Sequence, residues 1–328
     1  MAEADWKTLV ANLRARTCVP FLGAGACLPT LPTGAELAAE VLKRAALDLP
    51  YPFDERTNLA KVTQYIASVW NDVPRTKHLV AEVLQERVER AQPKREQGLP
   101  AIHRCLAQLR LPIYITTNYD DLLEQALAEI PGVRPCSEVC RWSNELLLEI
   151  SRFDDGHYEP SSTEPVVFHL HGRWQEKRDG GAKAVLRAYD SFVLTEDDYL
   201  DFLINVSREI VVSPTGRDDK TALPLTLRRA IKKQALLFVG YSLTDVNFLF
   251  ILRALVETMQ RHSRVQRVAA QLSPAVLPQG YNQEDYQEQV EQYFDWTHDV
   301  RVVWKNADDL AAELTRDLEL PPWPKPLP

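Results

Sequence analysis

The sequence predicts an α/β protein: a doubly wound, mostly parallel sheet with a helical insertion. Three observations carry this. Short apolar runs of near-continuous hydrophobicity recur along the chain, as in strands buried on both faces. Several run directly into glycine, although there are only 12 glycines in 328 residues. Helical patterns separate the runs, which implies βαβ units.

In chain order the strands are expected at Cys18 to Leu22, Leu111 to Thr116, Val166 to Leu170 and Ala235 to Val239, with later ones at Val265 to Leu272 and Asp299 to Trp304. Helices are expected at Ala35 to Leu47, Asn58 to Trp70, Thr76 to Ala91, Tyr119 to Ile130, Thr244 to Met259, Glu284 to Phe294 and Ala307 to Leu318. The stretch from about 50 to 100 carries helical patterns with no strand between them and forms the insertion. Pro131 to Pro165 is rich in turn formers and is expected to be a lid or interaction loop. One domain then covers residues 1–320. Residues 321–328 (PPWPKPLP) hold five prolines and form a tail or linker, since proline cannot continue a helix or a central strand.

Composition narrows the function. The formal net charge is −8 and no run of five basic residues occurs, which argues against nucleic-acid binding through phosphate neutralisation. No apolar stretch reaches the roughly 18 residues of a membrane span, and Met1 to Lys7 lacks the basic-then-apolar order of a signal peptide. The five cysteines form no CxxC pair and no metal-ligand cluster at usable spacing, so neither a disulfide framework nor a zinc site is expected, and a reducing cytoplasm fits best.

Ligands of open parallel sheets bind outside the carboxyl ends of the strands, where helix N-termini present free N–H groups. Four strand exits have suitable chemistry. Gly23-Ala24-Gly25 reads either as a phosphate cradle or as a tight structural turn, because the usual third glycine is missing. Thr117-Asn118-Tyr119-Asp120-Asp121 supplies polar groups, or simply an N-cap at Asn118 and acidic residues suited to a helix dipole. His169 and His171 fall on one face by strand alternation, with His171 at the strand's end in the position of a proton acceptor or of a structural histidine. Gly240, Ser242 and Asn247 offer a close backbone approach and polar contacts, or a strand exit with a Thr244 or Asp245 cap.

Together, FLGAGACLPTLPTGAEL (Phe21 to Leu37), ITTNYDDLLE (Ile115 to Glu124), VVFHLHG with FVLTEDDYLDFL (Val166 to Gly172, Phe192 to Leu203) and LLFVGYSLTDVNF (Leu236 to Phe248) resemble the sirtuin superfamily, specifically its prokaryotic sirtuin-like branch. The resemblance implies a Rossmann-like domain that takes NAD as substrate and breaks its nicotinamide–ribose bond. It implies that Gly23, Ala24 and Gly25 cradle phosphate, with Thr117 beside them where a glutamine is usual. Asn118 would orient ribose and water, Asp120 contact the nicotinamide side and His171 accept the proton. Gly240 and Ser242 would contact the adenosine ribose, with Asn247 also among the NAD-binding residues. The paired CxxC motifs of protein-deacylating sirtuins are absent, Thr33-Gly34-Ala35 follows Pro32 where those enzymes carry Asp-Phe-Arg, and Cys27 replaces a usual serine. These departures favour an NAD glycohydrolase over a deacylase, with a non-catalytic sensor of NAD or an ADP-ribose derivative as the alternative. The branch implies an antiphage effector working by NAD depletion, as a homo-oligomer or with a HerA-type ATPase, a short Argonaute or a fused sensor domain.

Overall fold

The computed structural model describes residues 1–50, 56–95, 99–154, 156–174, 190–212, 221–243, 248–249, 252–253, 265–274, 277, 279–280, 282–324 and 55. Among the described residues, seven strands form one sheet: β1 (Cys18–Leu22), β2 (Ile113–Thr116), β3 (Cys136–Val139), β4 (Val166–His169), β5 (Ala235–Val239), β6 (Arg267–Gln271) and β7 (Arg301–Trp304). Their order is β3-β4-β2-β1-β5-β6-β7, and every pairing is parallel. The expected doubly wound sheet is present. All six expected strands occur, and β3 is an addition within the stretch read as irregular. Cys-Ser-Glu-Val at a sheet edge is only partly buried, so it has no apolar run to betray it.

The apolar strands are buried on both faces because successive side chains feed different cores. Cys18, Leu22, Tyr114, Val167, Leu237 and Val239 pack with α1 (Glu3–Arg14), α5 (Ala101–Leu109), α6 (Leu122–Ala128) and α10 (Ala307–Asp317). Val19, Phe21, Ile115, Phe168, Leu236 and Phe238 face the other way, toward α7 (Glu196–Val212), α8 (Leu225–Lys233) and α9 (Gln283–His298).

A third apolar cluster joins α2 (Gly34–Ala45), α3 (Leu59–Trp70) and α4 (Val73–Arg95) through Val41, Leu42, Val62, Ile66, Val80 and Val83. The helical insertion therefore recruits α2 as part of its own core. Thr33 opens α2 with a capping box: its hydroxyl accepts from the Glu36 amide at 3.3 Å while Glu36 accepts from the Thr33 amide at 2.8 Å. The insertion is tied to the main domain by Lys77, whose buried ammonium donates to Asp198 at 2.9 Å and to the Phe192 carbonyl at 2.8 Å.

The tail is laid against its own domain as far as it is described: Trp323 Nε1 donates to Glu129 at 2.9 Å and Gln108 donates to the Pro321 carbonyl at 2.6 Å. The expected helix from Thr244 to Met259 lies largely outside the described residues. Among those described, no helix is long and apolar enough to cross a membrane.

Candidate functional site

Register brings the strand ends level. Leu22 pairs with Thr116 and with Val239, and Thr116 pairs with His169, so the loops after β1, β2, β4 and β5 gather at one edge. The chain leaves β1 toward β2 on one side and later resumes with β5 on the other, so the loops diverge at the β1–β5 junction. A cavity of about 940 Å³ opens there, at the large end of the range for small-molecule sites. Ala24, Gly25, Thr117, Asn118, Asp120, His171, Gly240 and Ser242 all line it. Asn247 lies outside the described residues.

Gly23 is the exception: it sits behind the wall. Its amide donates to the Val239 carbonyl and that of Gly25 to the Gly240 carbonyl, both at 2.9 Å. A Cβ on Gly23 would stand 2.8 Å from the Gly240 oxygen and 2.9 Å from the Tyr241 ring. Gly240 has φ of +81°, and a Cβ there would come within 2.2 Å of the Ala26 nitrogen. These glycines let two loops interlock. Tyr241 locks the same junction, its hydroxyl donating to the Leu22 carbonyl at 3.0 Å and lying 3.2 Å from the Thr117 hydroxyl.

Asn118 does not cap a helix. Its amide nitrogen Nδ2 donates to the Gly23 carbonyl at 3.0 Å and to Cys27 Sγ at 3.1 Å, fixing the side chain to the loop after β1. The thiol of Cys27 in turn donates to Asp120 Oδ2 at 3.2 Å, while Asp120 Oδ1 accepts from the Leu122 amide at 3.0 Å. It is Asp120, not Asn118, that satisfies the start of α6. Burial, reinforced by the adjacent Asp120 carboxylate, pushes the Cys27 thiol well above its ordinary range, so it is a donor and not a nucleophile. Burial likewise raises the Asp120 carboxyl.

The two histidines part company. β4 ends at His169 and a turn follows, so strand alternation does not extend to His171. His169 is clamped between the Asn118 carbonyl at 3.1 Å and Glu124 Oε1 at 2.8 Å, and Ser137 donates to that same oxygen at 2.6 Å. Burial pushes the Glu124 carboxyl up, but His169, Arg173 and the Ser137 hydroxyl together leave it below its ordinary value. This buried pair holds Asn118 from behind. His171 meets α7 instead, edge-on to Tyr199 and Phe202 with ring centroids 5.1 and 5.4 Å away. Its Nε2 is buried with no hydrogen-bond partner among the described residues, and burial lowers the imidazole to about 3. His171 is thus neutral, with an unengaged nitrogen in the wall of the cavity.

Sequence reasoning passed over two groups here. Glu124 reads as an ordinary exposed helix residue until His169 is seen against it. His103, on α5, places its Nε2 3.9 Å from Cys27 Sγ, a contact that 76 intervening positions conceal.

A doubly wound parallel sheet whose polar strand exits surround a crevice at its switch point defines a Rossmann-like α/β protein. A family model described as a SIR2-like domain matches residues 112–294, more than half the chain, and the chain belongs to that family. It is also similar to two curated proteins named NAD(+) hydrolase ThsA. That of Cytobacillus dafuensis is 25% identical over 224 residues, 68% of this chain and 35% of the relative. That of Acinetobacter baumannii (strain 532279) is 25% identical over 247 residues, 74% of this chain and 40% of the relative. The chain thus matches two fifths or less of the length of either.

Proposed function

We propose that this chain is an NAD glycohydrolase, cleaving NAD to nicotinamide and ADP-ribose. The observation that carries the reading is His171: a buried, neutral imidazole whose Nε2 has no hydrogen-bond partner among the described residues, in the wall of a cavity that also presents Asn118 and Asp120. Desolvating such a nitrogen without a partner is costly, and sites that perform proton transfer tolerate that cost. Cleavage of the C1′–N bond builds oxocarbenium character on the ribose, and nicotinamide departs as a neutral base. Water attacking C1′ becomes acidic as it bonds, and His171 takes its proton. Asn118, held by Gly23 and Cys27 in front and by His169 through its carbonyl behind, orients the ribose and that water without reorganising. Asp120 meets the nicotinamide side. Ala24 and Gly25 serve the phosphates with Thr117 beside them, and Gly240 and Ser242 serve the adenosine half with Asn247.

The names of the two relatives and the SIR2-like family support this reading, and they support a role in antiphage defence through NAD depletion. In that role the protein acts in the cytoplasm as a homo-oligomer, or with a defence partner such as a HerA-type ATPase, a short Argonaute or a fused sensor domain. Incubating the protein with NAD and separating the products tests the chemistry: nicotinamide and ADP-ribose in equal amounts are expected. NAD binding without turnover, at any protein concentration or with any co-encoded partner, would replace the hydrolase by a sensing module.

A further inference from the structure

Three potential ligands that lie far apart in the sequence meet beside the cavity. Cys27 comes from the 3₁₀ turn after β1, His103 from α5 and Asp120 from the loop between β2 and α6. Their donor atoms all lie within 4.8 Å of one another, with Sγ 3.2 Å from Asp120 Oδ2 and 3.9 Å from His103 Nε2. Tetrahedral zinc, bonded to sulfur at about 2.3 Å and to nitrogen or oxygen at about 2.0 Å, sets its ligands about 3.5 Å apart. Both separations are within about half an ångström of that value.

We propose that Cys27, His103 and Asp120 form a binding site for a thiophilic divalent cation of the zinc class, with its remaining coordination position toward the cavity. Four features support it. The donor set of one sulfur, one nitrogen and one oxygen suits zinc and not magnesium or calcium. His103 is almost wholly buried, with its Nε2 facing the Cys27 sulfur at 3.9 Å. The surroundings suit bound ligands: the Leu122 amide occupies Asp120 Oδ1 and leaves Oδ2 for the metal, and Asn118 Nδ2 donates to the sulfur at 3.1 Å. Cys27 and Asp120 line the cavity, which gives the ion a way in.

Binding exchanges the S–H bond for a metal–sulfur bond. The thiol proton leaves to solvent, and the dication with one thiolate and one carboxylate forms a neutral group, the only charge state that burial tolerates cheaply. This site differs from the four-ligand zinc module of deacylating sirtuins in every ligand. Its consequence rests on the hydrolase reading: an occupied site takes Asp120 away from NAD, so the metal inhibits turnover.

The test is titration of the full chain, freed of metal by a chelator, with cobalt(II) and then zinc. Cobalt should give one equivalent of thiolate-to-metal charge-transfer absorption with the visible bands of a tetrahedral ion, and zinc should bleach both. Cys27→Ser should abolish the charge-transfer band, and His103→Gln should weaken binding by more than the 10- to 100-fold typical of losing an outer-shell partner. Because both changes fall in a packed region, thermal melts of each variant and the zinc-induced rise in the wild-type melting temperature are measured alongside. No uptake by wild type, or an unchanged band in a folded Cys27→Ser variant, overturns the site. The readout needs no NAD, so a chain that binds zinc yet never cleaves NAD would sink the hydrolase and leave the metal site standing.

Discussion

At the scale of single residues, the cavity wall holds groups whose environments differ by design of the fold. His171→Ala and Asn118→Ala should each lower NAD turnover by about 10²- to 10⁴-fold while changing NAD affinity far less, since both act on the reacting ribose and water. Single-turnover rates set beside equilibrium binding would show it, and a variant with wild-type turnover would remove that residue from the mechanism. His171 also links stability to pH. Its folded value of about 3 lies below the ordinary 6.5, so the unfolded chain takes up a proton first. The stability carried by the neutral ring is complete above about pH 6.5, declines as pH falls and is lost by about pH 3. His171→Gln should flatten the denaturation free energy across that window relative to wild type. The glycines give a different signature. Gly240→Ala forces a side chain into a left-handed conformation that alone costs about 1–2 kcal/mol, and it drives the new Cβ into the Ala26 backbone. Gly23→Val strikes the Gly240 carbonyl and the Tyr241 ring. Both should lower the melting temperature together with NAD affinity; lost affinity at unchanged stability would contradict the interlocked-loop account.

Among the elements, a buried ion pair is one of the joins between the insertion and the main domain. Asp198 accepts from Lys77 and, through Oδ2, from the amides of Leu194 and Thr195, so it also opens α7. Asp198→Ala strands a buried ammonium and should destabilise by about 3–5 kcal/mol, whereas replacing Lys77 and Asp198 together by apolar residues of similar size should recover much of it. Denaturant unfolding of the single and double variants measures the difference. The capping box is a smaller matter: Thr33→Ala should cost about 1 kcal/mol.

For the whole molecule the question is control. NAD is shared by all metabolism, and an ungated hydrolase turning over at the ordinary ~10 s⁻¹ would drain it continuously. Asn58, Leu59 and Leu84 of the insertion line the same cavity as Asn118 and His171, where a gate would have to act. The tail is less suited than its proline content suggests, since Trp323 already docks on Glu129 of its own chain. Turnover should therefore rise with protein concentration or with a co-encoded partner, and full activity in a dilute monomer would refute the gate while leaving the chemistry intact.

What the sequence determined by itself was the sheet and its chemical edge. Runs such as CVPFL and ALLFV are apolar at every position, which only a strand covered on both faces requires, and the residues following those runs mark where the strands end. Eight of the nine described site candidates do line one cavity, because parallel register brings every strand exit to the same side. What tertiary structure alone decided was partnership. Asn118 reads as a helix cap from its neighbours and proves to be held by Gly23 and Cys27; His169 and His171 read as a pair and turn to different helices; Cys27, His103 and Asp120 carry no mutual spacing at all. The physical reason is range. Burial and periodicity are set within a few residues, whereas a hydrogen bond or a ligand set joins groups whose separation along the chain holds no information about their distance in space.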